Sequence, residues 1–301
     1  MSTSGQHKSG SGSWFVLGAA LLWGTTGTAQ AFSPVGFDPK VIGTLRLLIG
    51  GMALLFLAIS RKELGRWSDW KWGLVLLSAA FTACYQLSFF AAVAKTGVAV
   101  GTVVGIGSAP IAGGVLGRLF LGEQLNRRWL AATLLAICGC ILLSITGGET
   151  VSIDLFGILL AIIAGVSYAT YTLVIKGLLH QHSPNAVMAV VVCVSAIMLS
   201  PALIHCDPEW LLQPRTIGVV LHLGLATMAM SYWLFARGLQ TVQVATATTL
   251  SLAEPMTAAT LGIVVLGEQL NLQAVSGIAL IFLGLATLVF NPRRLLQRGS
   301  R

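Results

Sequence analysis

The chain has 301 residues, of which 55% are hydrophobic and 9% are charged, and its formal net charge is +8. Soluble domains carry about 25% charged residues, so this composition excludes a fully water-facing surface and requires lipid as solvent. The excess of Lys and Arg sits between apolar runs, which argues against a nucleic-acid patch and for membrane orientation.

Met1 to Ser13 is polar, rich in Gly and Ser, and reads as a disordered cytoplasmic tail (1–13). Ten apolar stretches follow, at 14–33, 40–60, 71–94, 98–120, 127–146, 154–179, 184–205, 216–238, 242–266 and 272–290. Each is about long enough to cross a ~30 Å hydrocarbon core as a helix. Helix is required because each span must satisfy its own backbone in lipid. Residues 291–301 form a basic cytoplasmic tail. The expected fold is an all-α membrane protein with ten transmembrane helices. The first run ends in Thr28-Ala29-Gln30-Ala31, whose A-x-A resembles a signal-peptidase site. Against cleavage stands the repeat described next, which gives that run an internal counterpart.

Leu121-Gly122-Glu123-Gln124-Leu125-Asn126 recurs as Leu266-Gly267-Glu268-Gln269-Leu270-Asn271, an offset of 145 residues. At the same offset Ala109-Pro110 matches Glu254-Pro255 and Phe90-Ala91 matches Phe235-Ala236. Near the start of each half the offset is 141, where Phe15, Ala20 and Gly24 match Phe156, Ala161 and Gly165. The chain therefore divides into repeats of five helices at 14–146 and 154–290. An odd number of spans per repeat makes the second copy enter from the opposite side, an inverted-topology repeat as in many transporters.

With the amino terminus in the cytoplasm, Lys8, Arg61, Lys62, Arg66, Lys71, Arg118, Arg127, Arg128, Lys176, Arg237, Arg293, Arg294, Arg298 and Arg301 lie at the inner face. Only Lys40, Lys95 and Arg215 lie outside. The bias predicts both termini in the cytoplasm. A helical bundle of this kind implies a multi-pass protein of a bacterial inner membrane.

Two ionisable residues fall deep in spans, Arg46 and Glu254. A charge at the bilayer centre costs about 2.5–3.5 kcal/mol on insertion scales and usually faces a bundle interior or wet cavity. Glu254 stands open to two readings: an internal hydrogen bond or pair with Arg46, or a proton carrier or contact to a substrate amine. Arg46 likewise binds backbone carbonyls or an inner-helix acid, or is a charge site for transport. Pro110 and Pro255 mark helix kinks, since a proline leaves a carbonyl one turn earlier without its partner. The first half keeps the proline but has Ala109 in place of the acid. Gly97, Gly101, Gly105, Gly113 and Gly117 in the fourth span allow close helix packing.

Trp23, Tyr85, Tyr168, Tyr171, Tyr232 and Trp233 lie deep within spans, where their N–H and O–H groups need partners. Trp14, Trp67, Trp70, Trp72, Trp129 and Trp210 lie near span ends, as interfacial anchors do. Tyr85 and Ser88 share a helix face, and their partners at offset 145 are Met230 and Trp233. Gln30, Gln86 and Ser251 add hydrogen-bonding groups.

There is no G-x-x-x-x-G-K-[ST] for ATP binding, no H-E-x-x-H and no G-x-S-x-G. Cys138 and Cys140 form a C-x-C whose members do not share a helix face, a poor metal site. His180 and His182 read as solvated loop residues. No cofactor, no metal, no catalytic residues and no ATPase subunit are expected, and the chain does not read as an enzyme.

Leu22-Trp23-Gly24, Leu45-Arg46-Leu47, Glu254-Pro255 and the two Leu-Gly-Glu motifs resemble the EamA family of the drug/metabolite transporter superfamily, over about residues 14–290. The resemblance implies a ten-helix exporter with alternating access and a central cavity. Within that family the chain is similar to bacterial exporters of amino acids and related metabolites, including the YddG type that handles aromatic amino acids. The expected cavity lies among spans one, three, four, six, eight and nine. Trp23, Tyr85, Tyr168 and Trp233 would enclose an apolar or aromatic side chain, and Gln86, Ser251 and Glu254 would meet the polar end. Rival readings are export of another small solute (a drug, nucleoside or sugar-like metabolite), a channel-like facilitator, and a membrane-embedded lipid enzyme. The partners expected are a small-molecule substrate and the bilayer, with no nucleic acid and nothing that demands more than a monomer.

Overall fold

The computed structural model describes residues 8–33, 39–145, 154–205, 212–267, 269 and 271–290. Among them there is no strand. In chain order the main helices are α1 (Lys8–Ala31), α2 (Pro39–Ser60), α3 (Trp72–Gly97), α4 (Val100–Leu121), α5 (Arg127–Ile145), α6 (Leu155–Leu178), α7 (Pro184–Leu199), α8 (Pro214–Leu239), α9 (Val244–Leu266) and α10 (Leu272–Val289). Among the described residues nine helices, α2 to α10, are long and apolar enough to cross a membrane. The 24-residue α1 has the length, but carries Thr25, Thr26, Thr28 and Gln30 in its last turns. The basic tail, Cys206, Trp210 and Glu268 lie outside the described residues.

Residues 8–13 of the tail expected over 1–13 are helical. Helix α1 starts at Lys8, with Ser13 buried and Gly12 set against Gly238 and Thr241. Small residues there let the helix run on against α8. Outward, the bundle presents large apolar side chains such as Phe56, Leu119, Phe120 and Val264, each at least 70% exposed. On a soluble protein so much exposed apolar surface would drive association; in lipid it meets its own solvent. Several buried hydroxyls are satisfied within their own helices. Thr82, Thr172, Ser195, Thr227 and Ser231 each donate to the carbonyl four residues back.

The glycine and the asparagine of the repeated hexapeptide act in the same way in both halves. Gly122 and Gly267 take left-handed conformations (φ 63° and 73°) that end α4 and α9. Asn126 and Asn271 then cap the next helix, accepting from Trp129 N at 2.7 Å and Ala274 N at 2.8 Å. Three interruptions shape the bundle. The α3–α4 reversal turns on Gly97 (φ 80°, ψ 163°), a conformation open to glycine alone. Helix α8 carries a π-helical turn at Leu225–Met230. Helix α9 is interrupted at Ser251–Leu252: Pro255 has no N–H, and the Ser251 carbonyl accepts from Glu254 N at 3.0 Å. Pro110 lies inside α4 without non-helical backbone around it, so α4 is not broken there.

Helices approach closely at small residues. Gly24 of α1 sits against Glu254 O and Thr257 of α9, and Gly165 of α6 against Gly105 and Ser108 of α4. Gly139 of α5 faces Gly277 of α10, and Gly284 faces Ala132.

One end of the bundle is closed by polar contacts from the α4–α5 connection. The Glu123 carboxylate is buried and accepts from Val244 N (2.7 Å) and Ala245 N (3.2 Å), capping α9. Lys176 of α6 pairs with Glu123 at 3.5 Å and also donates to Val242 O. Trp129 Nε1 donates to Ala245 O at 2.9 Å, and Arg128 donates to Thr287 O and Phe290 O at the end of α10. Trp129, expected as an interfacial anchor, is turned inward by these contacts. Trp70 is buried, donating to Leu64 O and stacking on His182 at 4.0 Å, so His182 is not a solvated loop residue.

Candidate functional site

A cavity of about 300 Å³ lies among the helices, toward the end that carries the Gly97 turn and away from the Glu123 contacts. Helix α1 contributes Trp23, Gly24, Thr26, Gly27 and Gln30, and α2 contributes Arg46. Helix α3 adds Tyr85, Gln86, Phe89, Phe90 and Val93; across the Gly97 turn α4 adds Thr102 and Ile106. The second half supplies Tyr168 and Tyr171 of α6, Tyr232 of α8, and Glu254, Pro255 and Ala258 of α9. Both repeats therefore build one wall.

Aromatic rings hold each other in place. Tyr168 meets Trp23 edge-on at 6.4 Å between centroids, Tyr171 edge-on at 5.0 Å and Tyr85 at 5.7 Å. Trp23 also packs on Tyr232 at 5.5 Å and on Phe235 at 5.3 Å. Offset and edge-to-face pairs at these spacings are favourable beyond area burial. The Tyr168 hydroxyl lies 2.6 Å from Ser251 Oγ, which itself donates to Ala247 O at 3.0 Å. The tyrosine is therefore the donor, and it ties the wall to the break in α9.

The cavity's two ionisable groups are opposite in sign. Arg46 and Glu254 both reach the wall, and neither joins an ion pair among the described residues. The pairing of Glu254 with Arg46 expected as one reading of the sequence is thus absent in this state. Arg46 Nε and Trp23 Nε1 are buried without hydrogen-bond partners.

Of the candidate residues, Trp23, Gln30, Arg46, Tyr85, Gln86, Tyr168 and Glu254 come together on the wall. Ser251 does not reach it, and acts behind Tyr168. Ser88 is buried against its own helix, donating to Cys84 O at 2.5 Å. Met230 is 54% exposed, and Trp233 lies against Arg237, 4.4 Å from ring centroid to guanidinium. Met230 and Trp233 miss because the π-turn shifts the register of α8 and brings Tyr232 inward instead. Phe89, Phe90 and Val93 continue the Tyr85–Gln86 face at helical spacing, a signal that was present in the sequence. Cys138 is exposed and Cys140 buried, on different faces of α5. Among the described residues no group of His, Cys, Asp and Glu is arranged to hold a metal.

The sequence matches the EamA-like transporter family over residues 10–145 and 155–290. The chain belongs to that family. The two EamA matches coincide with the two repeats. An uncharacterized transporter of Bacillus subtilis (strain 168), YwfM, is 46% identical over 282 residues, covering 94% of this chain and 95% of the relative. A protein of Salmonella typhimurium named a probable amino-acid metabolite efflux pump is 29% identical over 189 residues, covering 59% of this chain and 63% of its own. A crystal structure of a protein 20% identical in sequence superposes with a TM-score of 0.82 over 95% of this chain and 98% of that one, a likeness of fold. The EamA relatives are named as transporters rather than enzymes. The chain is a multi-pass membrane transporter of the EamA type.

Proposed function

We propose that this EamA transporter exports small metabolites, amino acids with aromatic or other apolar side chains first among them, by alternating access through the central cavity. The observation that carries the reading is the cavity wall itself: seven aromatic rings, one acid and one base, drawn from both repeats. Such a wall offers stacking and apolar contact to a side chain and charged partners to the polar end of the same molecule. The Salmonella relative named as an amino-acid metabolite efflux pump supports the substrate class.

In this reading all of α1 to α10 cross a bacterial inner membrane, as two inverted repeats with both termini in the cytoplasm. The contacts of α5 and α10 support the inversion. At an offset of 145, Gly139 becomes Gly284 and Ala132 becomes Gly277, so the contact Gly139–Gly277 maps onto Gly284–Ala132. On the bias of basic residues, this reading has the Glu123–Lys176 end in the cytoplasm and the cavity toward the outside. The state is outward-facing, and export requires the Glu123 contacts to part on each cycle.

The test is counterflow. Purified protein in liposomes loaded with unlabelled phenylalanine should take up labelled phenylalanine saturably. An imposed pH gradient should alter the rate, and Glu254→Gln should remove that response. A folded protein that takes up no more label than empty liposomes would exclude aromatic amino acids.

A further inference from the structure

We infer that Arg46 is the receptor for a substrate carboxylate, so that the cavity selects solutes bearing that group over amines with the same side chain. The inference rests on the amino-acid reading above and adds to it a named contact and a rule of selection. Arg46 reaches the cavity from α2, its Nε is buried, and that N–H has no partner. No carboxylate among the described residues lies within ion-pair distance of it. Arg46 is half-buried with its Nε fully inside, and a guanidinium held without an anion is costly in a membrane interior, so this wall favours a negative group. The planar fork of guanidinium N–H groups fits a carboxylate with two parallel hydrogen bonds.

The rest of the wall narrows the ligand further. Glu254 supplies a negative group on the same wall, which suits an ammonium and repels an anion of higher charge. A phosphate dianion would meet one cation and one anion here, a poor balance. A zwitterion meets both. Trp23, Tyr85, Tyr168, Tyr171 and Tyr232 leave aromatic surface for its side chain. Trp23 Nε1, also buried and unpartnered, is a further donor on that wall for a carboxylate oxygen.

The experiment uses the wild-type protein in liposomes, with phenylalanine counterflow inhibited by unlabelled competitors. Phenylalanine should compete fully. Phenylalanine amide and phenethylamine, which lack the carboxylate, should need about tenfold higher concentration, as for one lost charge-assisted pair. Arg46→Lys keeps the charge but not the fork, and should raise KM for phenylalanine about tenfold with a smaller change in kcat. Arg46→Gln should erase the difference between phenylalanine and its amide. Counterflow in which the amide and the amine compete as well as phenylalanine would overturn the carboxylate receptor and leave the amino-acid reading standing. Absence of phenylalanine counterflow in the folded wild type would overturn both.

Discussion

Tyr168 shows how much depends on a single hydroxyl. It donates to Ser251 at the interruption of α9, one turn before Glu254. Tyr168→Phe removes that bond while keeping the ring against Trp23 and Tyr171. The expected cost is about 1 kcal/mol, seen as a small fall in melting temperature. Phenylalanine KM should rise several-fold, because the broken segment that carries Glu254 is less well held. An unchanged KM would separate the hydroxyl from the site. A second residue-scale test lies outside the membrane. Asp154 caps α6, accepting from Gly157 N at 2.9 Å, with Lys95 3.8 Å away. The Gly157 bond, with Lys95 assisting, holds its carboxyl below the usual range. A depressed pKa means that the stabilisation is present above the unfolded carboxylate pKa and is lost as pH falls through the folded one. Asp154→Ala should lower the melting temperature at neutral pH, Asp154→Asn should lower it less, and the gap to wild type should close in acid. A gap that stays constant across this range would mean that the charge contributes nothing.

At the level of helices, sequence spacing goes far where the helices are regular. Apart from the start of α1 and the end of α7, the boundaries fall within three residues of the expected ones. The face of α3 that lines the cavity follows from i, i+4 spacing. The face of α8 does not, because Leu225-Ala226-Thr227-Met228-Ala229-Met230 contains no Gly or Pro to announce a π-turn. The interruption of α9, by contrast, was announced by Pro255. The part played by Glu123 was also hidden. Its motif is visible as a repeat, but its partners on α9 lie more than 120 residues away in sequence. Glu123 and Lys176 are both largely buried. Removing one partner of such a pair costs about 3–5 kcal/mol. Glu123→Gln keeps an acceptor for one backbone N–H but strands the Lys176 charge, so it should destabilise the closed end relative to an open one. A bias of even 1.4 kcal/mol shifts the ratio of the two states tenfold. Labelling of a cysteine at Ala247, fully buried beside this end, should therefore speed up about tenfold in Glu123→Gln. Equal labelling rates would show that the pair does not hold this end shut.

Across the whole molecule the repeat was the most legible feature, since a six-residue identity survives in the chain itself. Which residues of the two copies meet was not legible, because the contacts depend on how helices from different halves cross. Trp23 and Glu254, for instance, reach one cavity only because Gly24 lets α1 lie against α9. The same crossing supplies the strongest test of rocking. Thr133 belongs to the first repeat and Thr249 to the second, and their hydroxyls touch at 2.9 Å at the closed end. Thr249 donates to Ala245 O, so Thr133 is the donor between them. Both are almost fully buried. If the halves rock, this contact opens each time the cavity faces the cytoplasm; if the protein is a channel-like facilitator, it need not open at all. Side chains this close are within reach of a disulfide. In a background lacking the native cysteines, Thr133→Cys with Thr249→Cys should cross-link on oxidation. Phenylalanine counterflow should then fall to the level of empty liposomes and return on reduction. Cross-linked protein, verified by mass spectrometry, that still carries phenylalanine at the reduced rate would mean that α5 and α9 stay together throughout the cycle, and the rocking of one half against the other would have to be abandoned.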